Sequence, residues 1–131
     1  MHVSCEIAVG QVTPKACGHT QGRKVVSREE AVLRIKAAID ARKESGSDIV
    51  IIARTDARQA FSLEEALWRI RAFADAGADV VFIDALTSKE EMKAFCDTAP
   101  LVPKLVQFVW LCFHFQLYSV LNLYWMEETL L

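Results

Sequence analysis

The sequence lacks several features that would assign it to a functional class at once. Its four cysteines form no Cys-x-x-Cys pair, so free thiols in a reducing compartment are expected rather than a disulfide framework. A net charge of -2 gives no reason to expect nucleic-acid binding. Residues 1–10 have neither a basic start nor a long apolar run, so no signal peptide is predicted. No Asp-x-Asp pair occurs, and no metal ligand is assigned.

Charge is distributed unevenly along the chain. All 15 Lys and Arg lie at or before Lys104, and no charged residue occurs from Leu105 to Met126. This contrast predicts one α/β domain over residues 1–106 and an apolar, helical tail over residues 107–131. The uncharged stretch is long enough to span a membrane. It could also be a helix that covers an open sheet face, or translated intron sequence. The last interpretation is favoured, so a membrane partner is not expected.

Two buried strands are predicted, one over residues 48–53 and one over residues 80–83. Each helix between the predicted strands begins with a capping box, in which a Ser is followed by a Glu three residues later. The three pairs are Ser27 with Glu30, Ser62 with Glu65, and Ser88 with Glu91. Further strands are predicted within residues 3–9 and 102–106. This alternation predicts a parallel α/β sheet, either doubly wound or a piece of a (βα)8 barrel.

Polar residues follow both buried strands, where α/β folds place their chemistry. Arg54 could bind a carboxylate or phosphonate through two parallel hydrogen bonds. Asp56 and Asp84 end neighbouring strands, so each could orient Arg54. The alternative interpretation of Arg54 is a structural ion pair with one of these carboxylates.

The segment from Gln11 to Thr20 is predicted to be a loop that carries reactive side chains. Lys15, Cys17 and His19 occupy alternating positions in it. A cation beside a thiol favours the thiolate, so Cys17 could serve as acid, base or nucleophile. The alternative is a polar surface loop with an incidental cysteine, in which His19 anchors the loop.

Four motifs resemble the isocitrate lyase/phosphoenolpyruvate mutase superfamily, and most closely its plant-type members named carboxyvinyl-carboxyphosphonate phosphorylmutase. The resemblance covers about residues 11–104, in the central part of the barrel. The motifs are Gln11-Val-Thr-Pro-Lys-Ala-Cys-Gly-His19, Gly22-Arg23-Lys24-Val25-Val26-Ser27, Ile52-Ala53-Arg54-Thr55-Asp56-Ala57 and Phe82-Ile83-Asp84-Ala85. The resemblance implies a partial (βα)8 barrel of three to four parallel strands with flanking helices.

The resemblance also implies an activity that makes or breaks a C–C or P–C bond next to a carboxylate. Cys17 would be the catalytic acid, and Arg54, Lys15, Gly18 and His19 would bind a small carboxylate or phosphonate substrate. A Mg²⁺-stabilised enolate is implied as well. Where the family has an acidic pair before the loop, this chain has Val9 and Gly10, so the ligands for Mg²⁺ are not expected in this chain.

Assembly and location are implied only through the same resemblance. A homo-oligomer, or pairing with full-length relatives, is expected. The compartment implied is the chloroplast or the cytoplasm, although residues 1–10 lack the Ser- and Arg-rich character of a transit peptide. The alternative function is that of a truncated or alternatively spliced, catalytically inactive fragment of such an enzyme.

Overall fold

A computed structural model describes the backbone of residues 4–8 and all of residues 24–106. In these ranges four parallel strands form one sheet in the order β1-β2-β3-β4. The strands are β1 (Ser4–Ala8), β2 (Val50–Thr55), β3 (Val80–Ile83) and β4 (Lys104–Leu105). The helices are α1 (Arg28–Ser45), α2 (Ala57–Ala60), α3 (Leu63–Ala76) and α4 (Lys89–Asp97). The chain therefore forms part of a (βα)8 barrel, as the motifs imply.

Buried and half-buried side chains alternate along β2. Ile51, Ala53 and Thr55 are buried, whereas the residues between them are half-buried. Because successive side chains of a strand point to opposite faces, the buried set defines the face that the helices cover. Arg54 lies on the other face, in register with Phe82 of β3. The predicted strand ended at residue 53, whereas β2 also includes Arg54 and Thr55.

The core lies between this sheet face and the helices α1, α3 and α4. The helices contribute apolar residues at helical spacing, and α1 and α3 pack against each other and against the sheet. The helical part of the core is formed by Ala31, Ile35, Ile39, Ala66, Ile70, Phe73 and Phe95. Fully burying a side chain such as Phe73 contributes about 1.5–3 kcal/mol, so this layer supplies most of the stability.

All three predicted N-caps are present, but only half of each capping box forms. Ser27, Ser62 and Ser88 accept a hydrogen bond from the backbone N–H of the Glu three residues later, at 3.1 to 3.2 Å. The glutamate carboxylates instead bind other partners. Glu65 and Glu91 bind arginines that lie more than 30 positions away in the sequence. An arginine offers a carboxylate the opposite charge and up to two parallel hydrogen bonds, which a single backbone N–H does not.

The helix ends and the turn before β4 use left-handed backbone conformations. Gly46 ends α1 at φ 65° and Gly77 ends α3 at φ 100°, and glycine adopts this conformation without the steric cost of a Cβ. Ala99 also has a positive φ, of 54°, in the turn that leads to β4. Lys104 secures that turn, because its Nζ donates hydrogen bonds to the carbonyls of Ala99 and Val102 at 2.9 Å each. Burial lowers the pKa of Lys104.

The predicted tail over residues 107–131 lies outside the described residues, so its predicted helix and its boundary stay predictions. Within residues 24–106, no helix is both long and apolar enough to cross a membrane.

Candidate active site at the carboxyl ends of β2 and β3

A cluster of three charged side chains lies where β2 and β3 end. The Arg54 Nε donates a hydrogen bond to Oδ1 of Asp56 at 2.9 Å. Its Nη2 lies 3.0 Å from Oδ2 of Asp84. Asp56 and Asp84 are 3% and 9% exposed, and Arg54 is 18% exposed. The structure thus brings the three residues together at the edge of the sheet that the sequence indicates.

Backbone contacts fix both carboxylates relative to Arg54. The Asp84 N–H donates to the carbonyl of Thr55 at 3.1 Å, which extends the β2–β3 pairing by one residue. The Asp56 carbonyl accepts from Gln59 and Ala60 in the short helix α2. The Arg54 guanidinium also lies 5.3 Å from the centre of the Phe82 ring, within the range of a cation–π contact. Arg54 is therefore held from three directions.

A second charged cluster, not recognised in the sequence, lies beside the first. Arg58 on α2 donates from Nη2 to Oε1 of Glu91 at 2.8 Å and to Oγ1 of Thr87 at 2.7 Å. Oε2 of Glu91 accepts from the Thr87 N–H at 2.8 Å. Burial alone would raise the pKa of Glu91, but the hydrogen bonds from Arg58 and Thr87 offset it, and the net pKa is lowered. The sequence did not indicate this cluster because Arg58 lies in α2, and a helix of four residues is too short to show hydrophobic periodicity.

A third cluster joins the start of α1 to α3. The Glu65 carboxylate binds Arg28 at 2.5 Å and Arg69 at 2.9 Å, and the hydrogen bond from Arg28 is the main reason that its pKa is lowered. Arg69 is buried and donates from Nη2 to the carbonyl of Val26 at 2.8 Å. This contact secures the chain where residues 11–26 join α1. A cavity of about 350 Å³ lies against Glu65 and Arg69, and Arg54 does not line it.

The other predicted site residues are not part of the described structure. Lys15, Cys17, Gly18 and His19 lie outside the described ranges, so their predicted roles stay predictions. The fit of the two carboxylates at the sheet edge to Mg²⁺ is poor, because both are engaged with the Arg54 guanidinium. Across residues 24–106, no group of three His, Cys, Asp or Glu side chains could hold a metal ion.

A parallel α/β sheet with a half-buried guanidinium and two buried carboxylates at the carboxyl ends of its strands agrees with the arrangement of a barrel-type enzyme domain. The sequence profile of the family described as phosphoenolpyruvate phosphomutase matches residues 12–117. The chain belongs to this family, within the phosphoenolpyruvate mutase/isocitrate lyase superfamily.

Sequence relatives in the superfamily include several lyases. The chain is 50% identical to 2,3-dimethylmalate lyase of Eubacterium barkeri over 90 residues, which is 69% of this chain and 30% of that protein. It is 44% identical to 2-methylisocitrate lyase of Aeropyrum pernix over 100 residues, or 75% of this chain and 31% of that one. This chain thus spans about a third of the length of these relatives.

Solved structures give the same result. A trigonal crystal structure of 2,3-dimethylmalate lyase superposes with a TM-score of 0.75 at 43% identity, covering 79% of this chain and 34% of that one. Oxaloacetate acetylhydrolase in complex with 3,3-difluorooxalacetate superposes with a TM-score of 0.70 at 42% identity, covering 77% and 33%. These relatives are lyases and a hydrolase, so the narrower resemblance to a plant-type phosphorylmutase stays a prediction.

Proposed function

We propose that this chain forms the carboxylate-binding section of an enzyme that cleaves or forms a C–C bond next to a carboxylate. The observation that carries the proposal is Arg54, a half-buried guanidinium bound at the carboxyl end of β2 by Asp56 and Asp84. Its rigid, planar donors suit a small dicarboxylate. The similarity to 2,3-dimethylmalate lyase and 2-methylisocitrate lyase favours a 2-hydroxy or 2-oxo acid over a phosphonate.

The proposed chemistry is a retro-aldol cleavage. Arg54 orients one substrate carboxylate. The substrate hydroxyl gives its proton to solvent as its carbon becomes the carbonyl of a 2-oxo acid, and the neighbouring C–C bond breaks and leaves its electron pair in an enolate. Cys17 gives its proton to the enolate carbon, while Lys15, Gly18 and His19 contribute donors to the substrate. General acid catalysis of this kind contributes about 10²–10⁴-fold to the rate.

Among the described contacts, the Arg54 guanidinium is shared by the carboxylates of Asp56 and Asp84. A substrate with two carboxylates would also be stabilised by a second cation close by, and Lys15 is the candidate in this chain. Mg²⁺ stays a prediction from the family resemblance, and no step is assigned to it because Asp56 and Asp84 are already engaged.

The expected lack of Mg²⁺ ligands, with Val9 and Gly10 where the family has an acidic pair, supports a second candidate function. In this alternative the chain is catalytically inactive on its own and persists by pairing with full-length relatives or with further copies of itself. A homo-oligomer and an intracellular location, in the chloroplast or cytoplasm, belong to the proposal under either candidate.

Turnover and binding assays test the proposal. The purified chain is incubated with 2,3-dimethylmalate or 2-methylisocitrate, with and without Mg²⁺, and release of a 2-oxo acid is followed. We expect no turnover by the isolated chain, because losing about 4 kcal/mol of enolate stabilisation slows a reaction roughly 1000-fold. We do expect saturable oxalate binding that Arg54→Met abolishes and that the surface variant Arg34→Met preserves. Turnover that Cys17→Ala abolishes would instead assign complete catalysis to this chain.

A further inference from the structure

The cluster of Arg58, Thr87 and Glu91 joins the two segments that carry the Arg54 partners. Arg58 lies two residues after Asp56, and Thr87 lies three residues after Asp84. Arg58 contacts Thr87 and Glu91 through three donor–acceptor pairs of 2.7 to 3.3 Å. The chain that leaves β2 is thus fastened to the chain that leaves β3.

Arg58 and Glu91 of this cluster are half-buried, Thr87 is exposed, and several hydrogen bonds connect the three residues. Arg58 and Glu91 are 25% and 18% exposed. Both oxygens of Glu91 are used, since Oε1 accepts from Arg58 and Oε2 accepts from the Thr87 backbone and hydroxyl. Because both of its oxygens accept hydrogen bonds, the Glu91 carboxylate is held in one orientation. It therefore also orients the Arg58 guanidinium that it binds.

The turn after β3 needs such support. Ala85 adopts φ 62°, a left-handed conformation that costs a residue with a Cβ about 1 kcal/mol. The next residue, Leu86, is fully buried in the hydrophobic core, and this burial holds one side of the turn. The Glu91–Thr87 contact holds it on the other side. Any change in this turn would displace Asp84, which begins it.

We propose that Arg58 and Glu91 are positioning residues for the Arg54 site. They set the separation between Asp56 and Asp84, and through it they fix the plane of the Arg54 guanidinium for a substrate carboxylate. Neither residue touches the substrate. The inference rests on the proposed function, because the orientation of Arg54 matters for activity only if Arg54 binds a substrate carboxylate.

The test compares Arg58 with an arginine that also pairs with a glutamate but lies away from the Arg54 site. Arg34 pairs with Glu30 on the exposed side of α1, at 2.5 Å, and Arg34→Met is the matched control. Variants Arg58→Met, Arg58→Lys and Glu91→Gln are measured in three ways. These are thermal unfolding, calorimetric titration with oxalate as the probe, and the ¹H–¹⁵N signal of the Arg54 Nε–H group.

We expect Arg58→Met to weaken oxalate binding about tenfold and to shift the Arg54 Nε–H signal, since supporting residues of this kind act through placement. Arg58→Lys keeps the charge but loses the forked contact with Thr87 and Glu91, so it should show the same displacement with a smaller loss of stability. It therefore decides the question where Arg58→Met fails to fold. Arg34→Met should change neither binding nor the signal.

A variant that unfolds at lower temperature yet keeps the Arg54 signal and oxalate affinity within twofold would overturn the proposal. The cluster would then be a structural brace only. Failure of the proposed function gives a different pattern, in which the unmodified chain does not bind oxalate or Arg54→Met binds it equally well. Even then, the Arg54 Nε–H signal still reports whether Arg58 positions this guanidinium.

Discussion

The two ends of the sheet use their charged residues differently. At the amino end, the ion pair of Arg42 and Asp79 is bound to the backbone by both partners: Arg42 donates to the carbonyl of Ile49 at 3.0 Å, and Asp79 accepts from the N–H of Ile51 at 2.7 Å. Lys104 likewise donates to two carbonyls. At the carboxyl end, the paired groups are side chains that connect separate segments, as Arg54 does with Asp56 and Asp84.

This difference separates what stabilises the fold from what can do chemistry. A side chain that bonds the backbone holds a turn or a strand end in place, as Asp79 holds the start of β2 through Ile51. Gathering buried charges from two segments costs desolvation that apolar residues would avoid. In barrel-type enzymes, catalytic residues lie at the carboxyl ends of strands and stabilising residues at the other end. The pattern in this chain agrees with that division.

The largest expected effect comes from removing Arg54. Arg54→Met removes the guanidinium that both buried carboxylates bind, so we expect a loss of about 3–5 kcal/mol in the free energy of unfolding. Arg42→Met at the amino end should cost less, about 1–2 kcal/mol, because Asp79 is more exposed and keeps its bond from Ile51. Urea denaturation measures both. Equal losses for the two variants would contradict the proposed difference between the two ends of the sheet.

The second effect concerns Glu65, where α3 begins. Its pKa is lowered mainly by the hydrogen bond from Arg28. A carboxyl group whose pKa is lowered by folding stabilises the fold above its unfolded pKa of about 4.3, and this contribution disappears as pH falls through the folded value. Glu65→Gln should therefore destabilise the chain at pH 7 by about 2 kcal/mol and flatten the loss of stability below pH 4.3. A loss for Glu65→Gln that is equal at pH 7 and pH 3 would contradict this explanation.

A smaller effect is expected at the helix ends. Gly77 has φ 100° and ends α3 at the amino end of the sheet, where Ala is strained, so Gly77→Ala should cost about 1–2 kcal/mol. Gly46, at φ 65° with open space around it, is the matched control and should cost less. Thermal unfolding of the two variants gives the order. Equal costs would show that the strain does not depend on φ.

The smallest effect is expected for an N-cap at the carboxyl end. Ser88→Ala removes the hydroxyl that accepts from the Glu91 N–H at 3.1 Å, which should cost about 1 kcal/mol. The exposed Ser45 hydroxyl is the control and should cost under about 0.5 kcal/mol. If Ser88→Ala also moves the Arg54 Nε–H signal, the cap belongs to the positioning device as well.

Local signals in the sequence predicted most of the described fold. Val80–Ile83 was predicted with the bounds that the structure has, and Ser27, Ser62 and Ser88 act as N-caps. The sequence also indicated that Arg54, Asp56 and Asp84 share one end of the sheet. These features depend on residues that are close in the chain or on the ends of parallel strands.

The features that the sequence did not reveal depend on contacts between distant residues. Glu65 binds an arginine 37 positions away, and Arg58 binds Glu91 across 33 positions. No local pattern indicates which of several arginines will reach a given carboxylate. Helix α2 is only four residues long, too short for hydrophobic periodicity to appear.

The most direct test of this account is a map of where a small dicarboxylate binds. A ¹⁵N-labelled sample of the chain is titrated with oxalate, and changes in the backbone amide signals are followed. The account predicts saturable shifts at Thr55, Asp56, Asp84 and Ala85, and unchanged signals at Ile49, Asp79 and Val102. Shifts confined to the amino end, or shifts at the carboxyl end that persist in Arg54→Met, would contradict it.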